Sequence, residues 1–217
     1  MTGLQRRDRL ATARVYLIVT LDAPDAGELD ALSRALASGA VDLVQLRDVS
    51  GDEPRMRARA ERMRALCREH DALLILNDRP DVAAAMDLDG AHVGLDDVPA
   101  ATARAWLGPD RLLGLSTHDP EEVAAARSQP VDHIGLGPCF PTQSKDLTYT
   151  PGGADLVARC VPAAGDLPVF PIGGITPENV HALAAAGATR AAVGAGILAA
   201  ADPADAARAV QKALGGE

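Results

Sequence analysis

Short apolar runs alternate with longer amphipathic stretches along the chain. Eight runs, Val15–Thr20, Val41–Arg47, Ala72–Asn77, Gly90–Gly94, Arg111–Ser116, His133–Gly137, Pro168–Ile172 and Ala191–Gly194, are rich in Val, Ile and Leu without strict alternation. That pattern predicts parallel strands covered on both faces. Between them, Ala- and Arg-rich stretches predict helices over Ala26–Ser38, Pro54–His70, Pro80–Met86, Pro99–Leu107, Pro120–Ser128, Ala154–Val161, Pro177–Ala186 and Pro203–Leu214. Asp119-Pro120, Thr176-Pro177 and Asp202-Pro203 set an N-cap before a proline, and Gly39 and Gly187 stand where left-handed C-terminal caps are wanted. Regular βα alternation predicts an α/β fold with a parallel sheet, and eight units favour closure into a (β/α)8 TIM barrel. A doubly wound open sheet is the alternative, but no G-x-G-x-x-G follows the first run. No linker or charge block divides the chain, so residues 15–217 read as one domain behind a lead-in of residues 1–14 that is frayed or a short helix.

Composition narrows the function classes. A net charge of −9 excludes a broad attraction to nucleic acid or anionic membrane, so any phosphate chemistry must draw on locally placed Lys, Arg and helix N-termini. With aromatic residues at 2%, the core must be built from Ala, Val, Leu and Ile. Cys67, Cys139 and Cys160 form an odd set without metal-ligand spacing and read as reduced thiols of a cytoplasmic protein. Cys139 is expected to pack rather than act as a nucleophile. No apolar run reaches the ~18 residues that span a bilayer, and the arginine-rich start lacks the apolar segment of a secretory signal. A homo-oligomer is compatible with the sequence, which carries no signal for or against it.

In such a barrel the functional groups lie at the C-terminal strand ends. There the sequence offers Gln45, Arg47, Asn77, Asp78, Asp97, Ser116, His118 and two glycine turns, Gly173-Gly174 and Gly194-Ala195-Gly196. The turns after strands seven and eight are where these barrels cradle phosphate on backbone N–H groups, although tight βα turns also need small residues. The phosphate-binding type of barrel is the expectation. Asp78 and Asp97 end adjacent strands and are suited to share Mg²⁺, or to cap the helices that follow. Arg47 and Lys145 supply positive charge for a diphosphate, or form surface ion pairs. Gln45 and Asn77 suit a flat heterocycle or phosphate, or satisfy strand-end backbone. The long connection after strand six, holding Thr142, Ser144 and Lys145, reads as an active-site lid.

Several strings together resemble the thiamine-phosphate synthase family: Gln45-Leu46-Arg47, Asn77-Asp78-Arg79, Asp89-Gly90-Ala91-His92-Val93-Gly94 with Asp97, Gly114-Leu115-Ser116-Thr117-His118, the segment from Gly135 to Lys145, and Ile172-Gly173-Gly174-Ile175-Thr176-Pro177-Glu178-Asn179. The resemblance runs from about Val15 to Leu214 in order. It implies a transferase that couples hydroxymethylpyrimidine diphosphate to thiazole phosphate by dissociative displacement, releasing pyrophosphate. It also implies Mg²⁺ on Asp78 and Asp97, and a diphosphate held by Arg47, Asn77, Ser116 and Lys145. The pyrimidine would lie on Gln45 and Arg47. The thiazole phosphate would lie on Thr142, Ser144 and the backbone of Gly174, Gly194 and Ala195. Arg47, Ser116 and Lys145 would carry the catalysis.

Two positions depart from the family pattern. Val49 stands where Gln-x-Arg-x-Lys places lysine, and Ala195 where the strand-eight turn usually has serine. Val49 favours a related barrel, the thiazole tautomerase, in which His118 would act as general acid/base. Asn77, Asp78, Asp97 and Lys145 favour the synthase. A barrel that binds phosphate without turnover is the non-enzyme alternative.

Overall fold

In a computed structural model, residues 1–21, 27–142 and 149–215 are described. Eight parallel strands, β1 (Val15–Leu21), β2 (Leu43–Asp48), β3 (Leu73–Asn77), β4 (Gly90–Val93), β5 (Leu112–Thr117), β6 (His133–Leu136), β7 (Val169–Pro171) and β8 (Ala191–Val193), pair in the order β7-β6-β5-β4-β3-β2-β1-β8. A single parallel bridge from Ile172 to Ala192 joins the two ends, so the sheet is a barrel rather than the open alternative. Helices α2 (Glu28–Ala37), α3 (Glu53–Glu69), α4 (Pro80–Ala85), α5 (Ala100–Leu107), α6 (Pro120–Ala126), α7 (Gly153–Ala163), α8 (Val180–Ala185) and α10 (Pro203–Ala213) alternate with the strands, and a short α9 (Ala195–Leu198) follows β8.

Two apolar clusters divide the strand residues by parity. Val15, Leu17, Val44, Leu46, Leu74, Leu113, Ile134 and Val193 face the helices in the larger one. Tyr16, Ile18, Leu43, Leu73, Ile75, Leu112, Phe170 and Ala192 fill the barrel interior. Since strand side chains alternate, Gln45, Asn77, His92, Ser116 and His133 share that interior face.

The lead-in is an ordered helix, α1 (Gly3–Thr12), with a Thr2/Gln5 capping box. Leu10 and Ala13 close the interior cluster at the N-terminal end of the barrel. Arg6 pairs with Asp89 at 3.0 Å and Arg7 with Asp132 at 2.8 Å, while the Arg190 guanidinium bonds the Leu10 and Ala11 carbonyls.

Asp119 and Asp202 cap α6 and α10 as the sequence predicts, and Gly39 (φ 72°) and Gly187 (φ 103°) are left-handed. Thr176-Pro177 is different. The helix there starts at Val180, and Asn179 ties the preceding turn instead, accepting from the Thr176 N–H at 2.9 Å and donating to the Gly174 carbonyl at 2.8 Å. A proline needs only a compatible φ, which an irregular turn provides as well as a first helical turn.

Candidate active site

The C-terminal strand ends form one rim. Arg47 is half-buried near the end of β2, level with Thr20 of β1. Its neighbour Asp48 turns the other way and meets Arg59 of α3 at 2.6 Å, with both side chains nearly inaccessible. Burial raises the Asp48 carboxyl, but bonds from Ser50 and Arg59 outweigh it and hold the group below the usual carboxylate range. That pair anchors α3 against the strand and holds Arg47 at the mouth. Val49 follows with its N–H on the Leu21 carbonyl at 3.0 Å and its side chain 48% exposed.

Asn77 ends β3 half-buried, and Asp78 follows in the left-handed region at φ 61°, its N–H donating to the His92 carbonyl of β4 at 2.8 Å. Asp78 does not cap α4, whose N-cap is Arg79 without a side-chain bond. Asp97 does not cap α5 either: the N-cap is Pro99, and one Asp97 oxygen accepts the Gly94 N–H at 2.7 Å across the end of β4. Both carboxylates are solvent-exposed. The helix-capping explanation of these aspartates is therefore removed. Arg79 is engaged elsewhere, by Glu53 at 2.9 Å and Asp81 at 2.8 Å.

Ser116 of β5 is half-buried, and its Oγ lies 3.1 Å from His92 Nε2. Gln45 is 5% exposed and donates its side-chain N–H to the Tyr16 hydroxyl at 2.7 Å, so part of its amide serves the barrel interior. His118 has its N–H on the Glu122 carboxylate at 2.7 Å and Nδ1 2.5 Å from the Gly137 carbonyl. A carbonyl only accepts, so Nδ1 carries the hydrogen.

Gly173 and Gly174 are left-handed at φ 102° and 60°, and a Cβ on Gly174 would fall 2.3 Å from the Pro141 carbonyl. The space freed by this glycine is filled by the start of the β6–α7 connection, while Phe140 N–H bonds the Gly173 carbonyl at 2.9 Å. Gly194 caps α9, with Ala195 exposed at its first position. Gly174 and Ala195 thus come from neighbouring βα turns, after β7 and β8. Thr142 is half-buried on the same connection; Ser144 and Lys145 lie outside the described residues. Cys139 is buried, its thiol pushed up to about 12 chiefly by burial, which suits packing and not nucleophilic attack.

A family model described as thiamine monophosphate synthase matches residues 15–197. The chain belongs to this family. The thiamine-phosphate synthase of Acidothermus cellulolyticus is 42% identical over 203 residues, 91% of this chain and 93% of that protein. That of Synechococcus sp. (strain CC9605) is 43% identical over 191 residues, 88% of this chain but 53% of the relative, so the chain spans about half the length of such cyanobacterial members. Among solved structures, thiamine phosphate pyrophosphorylase from Pyrococcus furiosus superposes with a TM-score of 0.81 at 28% identity, covering 96% of this chain and 97% of that one.

Within this family member, sequence reading missed the floor of the site. His92 and His133 sit inside the barrel with ring centroids 5.6 Å apart, and His133 meets Tyr16 and Phe170 edge-on, each at 5.7 Å. Gly114 makes this possible, because a Cβ there would lie 2.2 Å from His92 Nδ1 and 2.4 Å from His133 Nε2. Burial pushes the His133 imidazole down to about 3, so it is neutral. The one available signal was a polar residue at an inward position of an otherwise apolar strand.

Proposed function

We propose that this chain is a thiamine-phosphate synthase, a transferase that joins hydroxymethylpyrimidine diphosphate to thiazole phosphate and releases pyrophosphate. The observation that carries the reading is the pair Asp78 and Asp97: they end neighbouring strands, neither caps a helix, and they share a rim with Arg47, Asn77 and Ser116. A tautomerase has no need of such a carboxylate pair.

The donors suit Mg²⁺. Two carboxylates are hard oxygen ligands, which suit a cation that takes its other ligands from water and substrate oxygens. When bound there, Mg²⁺ neutralises charge on the departing diphosphate. The remaining work falls to the chain. Arg47, Asn77, Ser116 and Lys145 hold the diphosphate, and their positive and hydrogen-bonding groups stabilise it as the carbon–oxygen bond breaks. His92 fixes Ser116 from beneath. Gln45, braced on Tyr16, faces the pyrimidine with what its amide has left. Thr142, Ser144 and the backbone of Gly174, Gly194 and Ala195 hold the thiazole phosphate, so that its ring nitrogen forms the new carbon–nitrogen bond. No general base is needed, because the attacking nitrogen carries no proton to lose.

The test is metal dependence of product formation. Purified protein should form thiamine phosphate with Mg²⁺ and lose the activity on chelation, and Lys145→Ala should abolish the coupling. Turnover of thiazole phosphate alone that survives chelation and vanishes in His118→Ala would instead establish the tautomerase.

A further inference from the structure

We propose that His133 is a positioning residue for the coupling: it directs an Nε2–H at His92 Nδ1, which puts the hydrogen of His92 on Nε2 and leaves the Ser116 hydroxyl free to donate to the diphosphate. The part played by the diphosphate rests on the synthase reading. The contact between the imidazoles does not.

Three interior positions are in register across three strands. Gly114 of β5 is paired with His92 of β4 on one side and with His133 of β6 on the other. Two residues nearer the mouth, Ser116 is paired with Gly135. Neighbouring strands stand about 4.8 Å apart, so two rings two strands apart meet only where the residue between them has no side chain. Gly114 meets that condition. A Cβ on it would fall 2.2 Å from His92 Nδ1 and 2.4 Å from His133 Nε2, so both nitrogens crowd one methyl-sized space. Gly135 makes room for the other end of the His92 ring, whose Cε1 and Nε2 lie 3.3 and 3.5 Å from where its Cβ would be. His92 is thereby held with Nδ1 toward His133 and with Nε2 3.1 Å from Ser116 Oγ.

His133 is fully buried, and neither of its ring nitrogens has a hydrogen-bond partner among the described residues. A buried polar atom left unpaired is costly, and the His92 nitrogen across Gly114 is the partner that the packing offers. Burial first, and the Arg190 charge second, keep the His133 imidazole neutral, so one of its nitrogens donates and the other accepts. Between His133 Nε2 and His92 Nδ1 there is room for one hydrogen. If His92 holds it, His92 Nε2 has only a lone pair, and the Ser116 hydrogen turns inward. An anion at the mouth then meets oxygen lone pairs. If His133 holds it, His92 Nε2–H donates to Ser116 Oγ, and the hydroxyl hydrogen points outward. Only the second arrangement offers the departing diphosphate a donor, the kind of group that stabilises developing negative charge. A direct bond and a bridge through one interior water carry the same sense. His133 acts through His92 and Ser116.

Heteronuclear NMR of the imidazole nitrogens in the full chain reads the hydrogen positions, because protonated and lone-pair ring nitrogens resonate far apart. The wild type should show His92 protonated on Nε2 and bare on Nδ1. His133→Phe keeps a ring but removes the donor, and should shift the His92 hydrogen toward Nδ1. It should also lower kcat about 10-fold, the size of one hydrogen bond lost from the transition state. KM for thiazole phosphate should not change. His133→Gln, whose amide N–H can stand where Nε2–H stood, should restore most of the loss. Ser116→Ala and Ser116→Ala/His133→Phe should share one kcat, since the second change removes nothing further. A wild type with His92 protonated on Nδ1, or losses that multiply in the double variant, would overturn the proposal. So would a His133→Phe protein that keeps the wild-type His92 spectrum and kcat. Should His133→Phe fail to fold, the wild-type spectrum and His133→Gln decide the matter. If the wild type forms no thiamine phosphate, the synthase reading falls, and the spectra still decide whether His133 sets the hydrogen of His92.

Discussion

An aspartate at the end of a barrel strand has two ordinary uses: it caps the next helix, or it faces whatever binds at the mouth. Sequence leaves Asp78 and Asp97 undecided, because each precedes a proline that could open a helix. The structure speaks only to the first use: α4 and α5 have Arg79 and Pro99 as N-caps, and Asp97 accepts from Gly94. Asp78→Asn is a clean substitution, because Asn tolerates the left-handed conformation at φ 61° that most residues resist. We expect Asp78→Asn and Asp97→Asn each to lower kcat about 100-fold, the usual cost of removing one preorganised electrostatic group. Thermal melting should shift little, as for other exposed substitutions. Normal turnover with a collapsed melting temperature would mean that the aspartates are structural. Val49 allows the opposite test. Its side chain is exposed and its N–H is already bonded to Leu21, so lysine fits without repacking. Val49→Lys should raise kcat/KM about 10-fold by returning an ammonium to the rim. An unchanged value would show that the pocket has sufficient charge without it.

At the scale of elements, the eight strands and most helices were legible because burial on both faces and proline-led helix starts leave local marks. What was not legible depends on contacts across the barrel. The turn at Thr176-Pro177 looks like a helix start, yet Asn179 organises it by bonding back to Gly174, a residue whose conformation is set by packing against Pro141. The lead-in read as a frayed end or a short helix; it is the helix, and nothing local reveals that its Leu10 plugs the barrel. Leu10→Ala should cost about 2–5 kcal/mol, read as a lowered denaturation midpoint; a change under 1 kcal/mol would mean that α1 is not part of the core. The interior layer of His92 and His133 hid inside strands that otherwise read as apolar. Its effect on stability has a definite sign. His133 is neutral in the folded barrel down to about pH 3, whereas in the unfolded chain it ionises near 6.5. Its contribution is fully present above pH 6.5 and is lost as pH falls, by up to about 1.4 kcal/mol per pH unit. His133→Phe should flatten the fall in stability between pH 6.5 and 4, and equal slopes for the two proteins would show that His133 is not the group responsible.

For the molecule as a whole, an acidic chain would have to gather opposite charge locally to bind two phosphorylated substrates, and the barrel brings strand ends distant in sequence to one rim. The barrel follows from the strand order and the Ile172–Ala192 bridge, whatever the activity. The coupling activity is the narrower and central claim. It is tested most directly by mixing purified protein with hydroxymethylpyrimidine diphosphate, thiazole phosphate and Mg²⁺ and following both products over time. The account predicts thiamine phosphate and pyrophosphate in equal amounts, catalytically in protein and only when both substrates are present. Absence of thiamine phosphate at saturating substrates and metal, or pyrophosphate released without it, would contradict the claim.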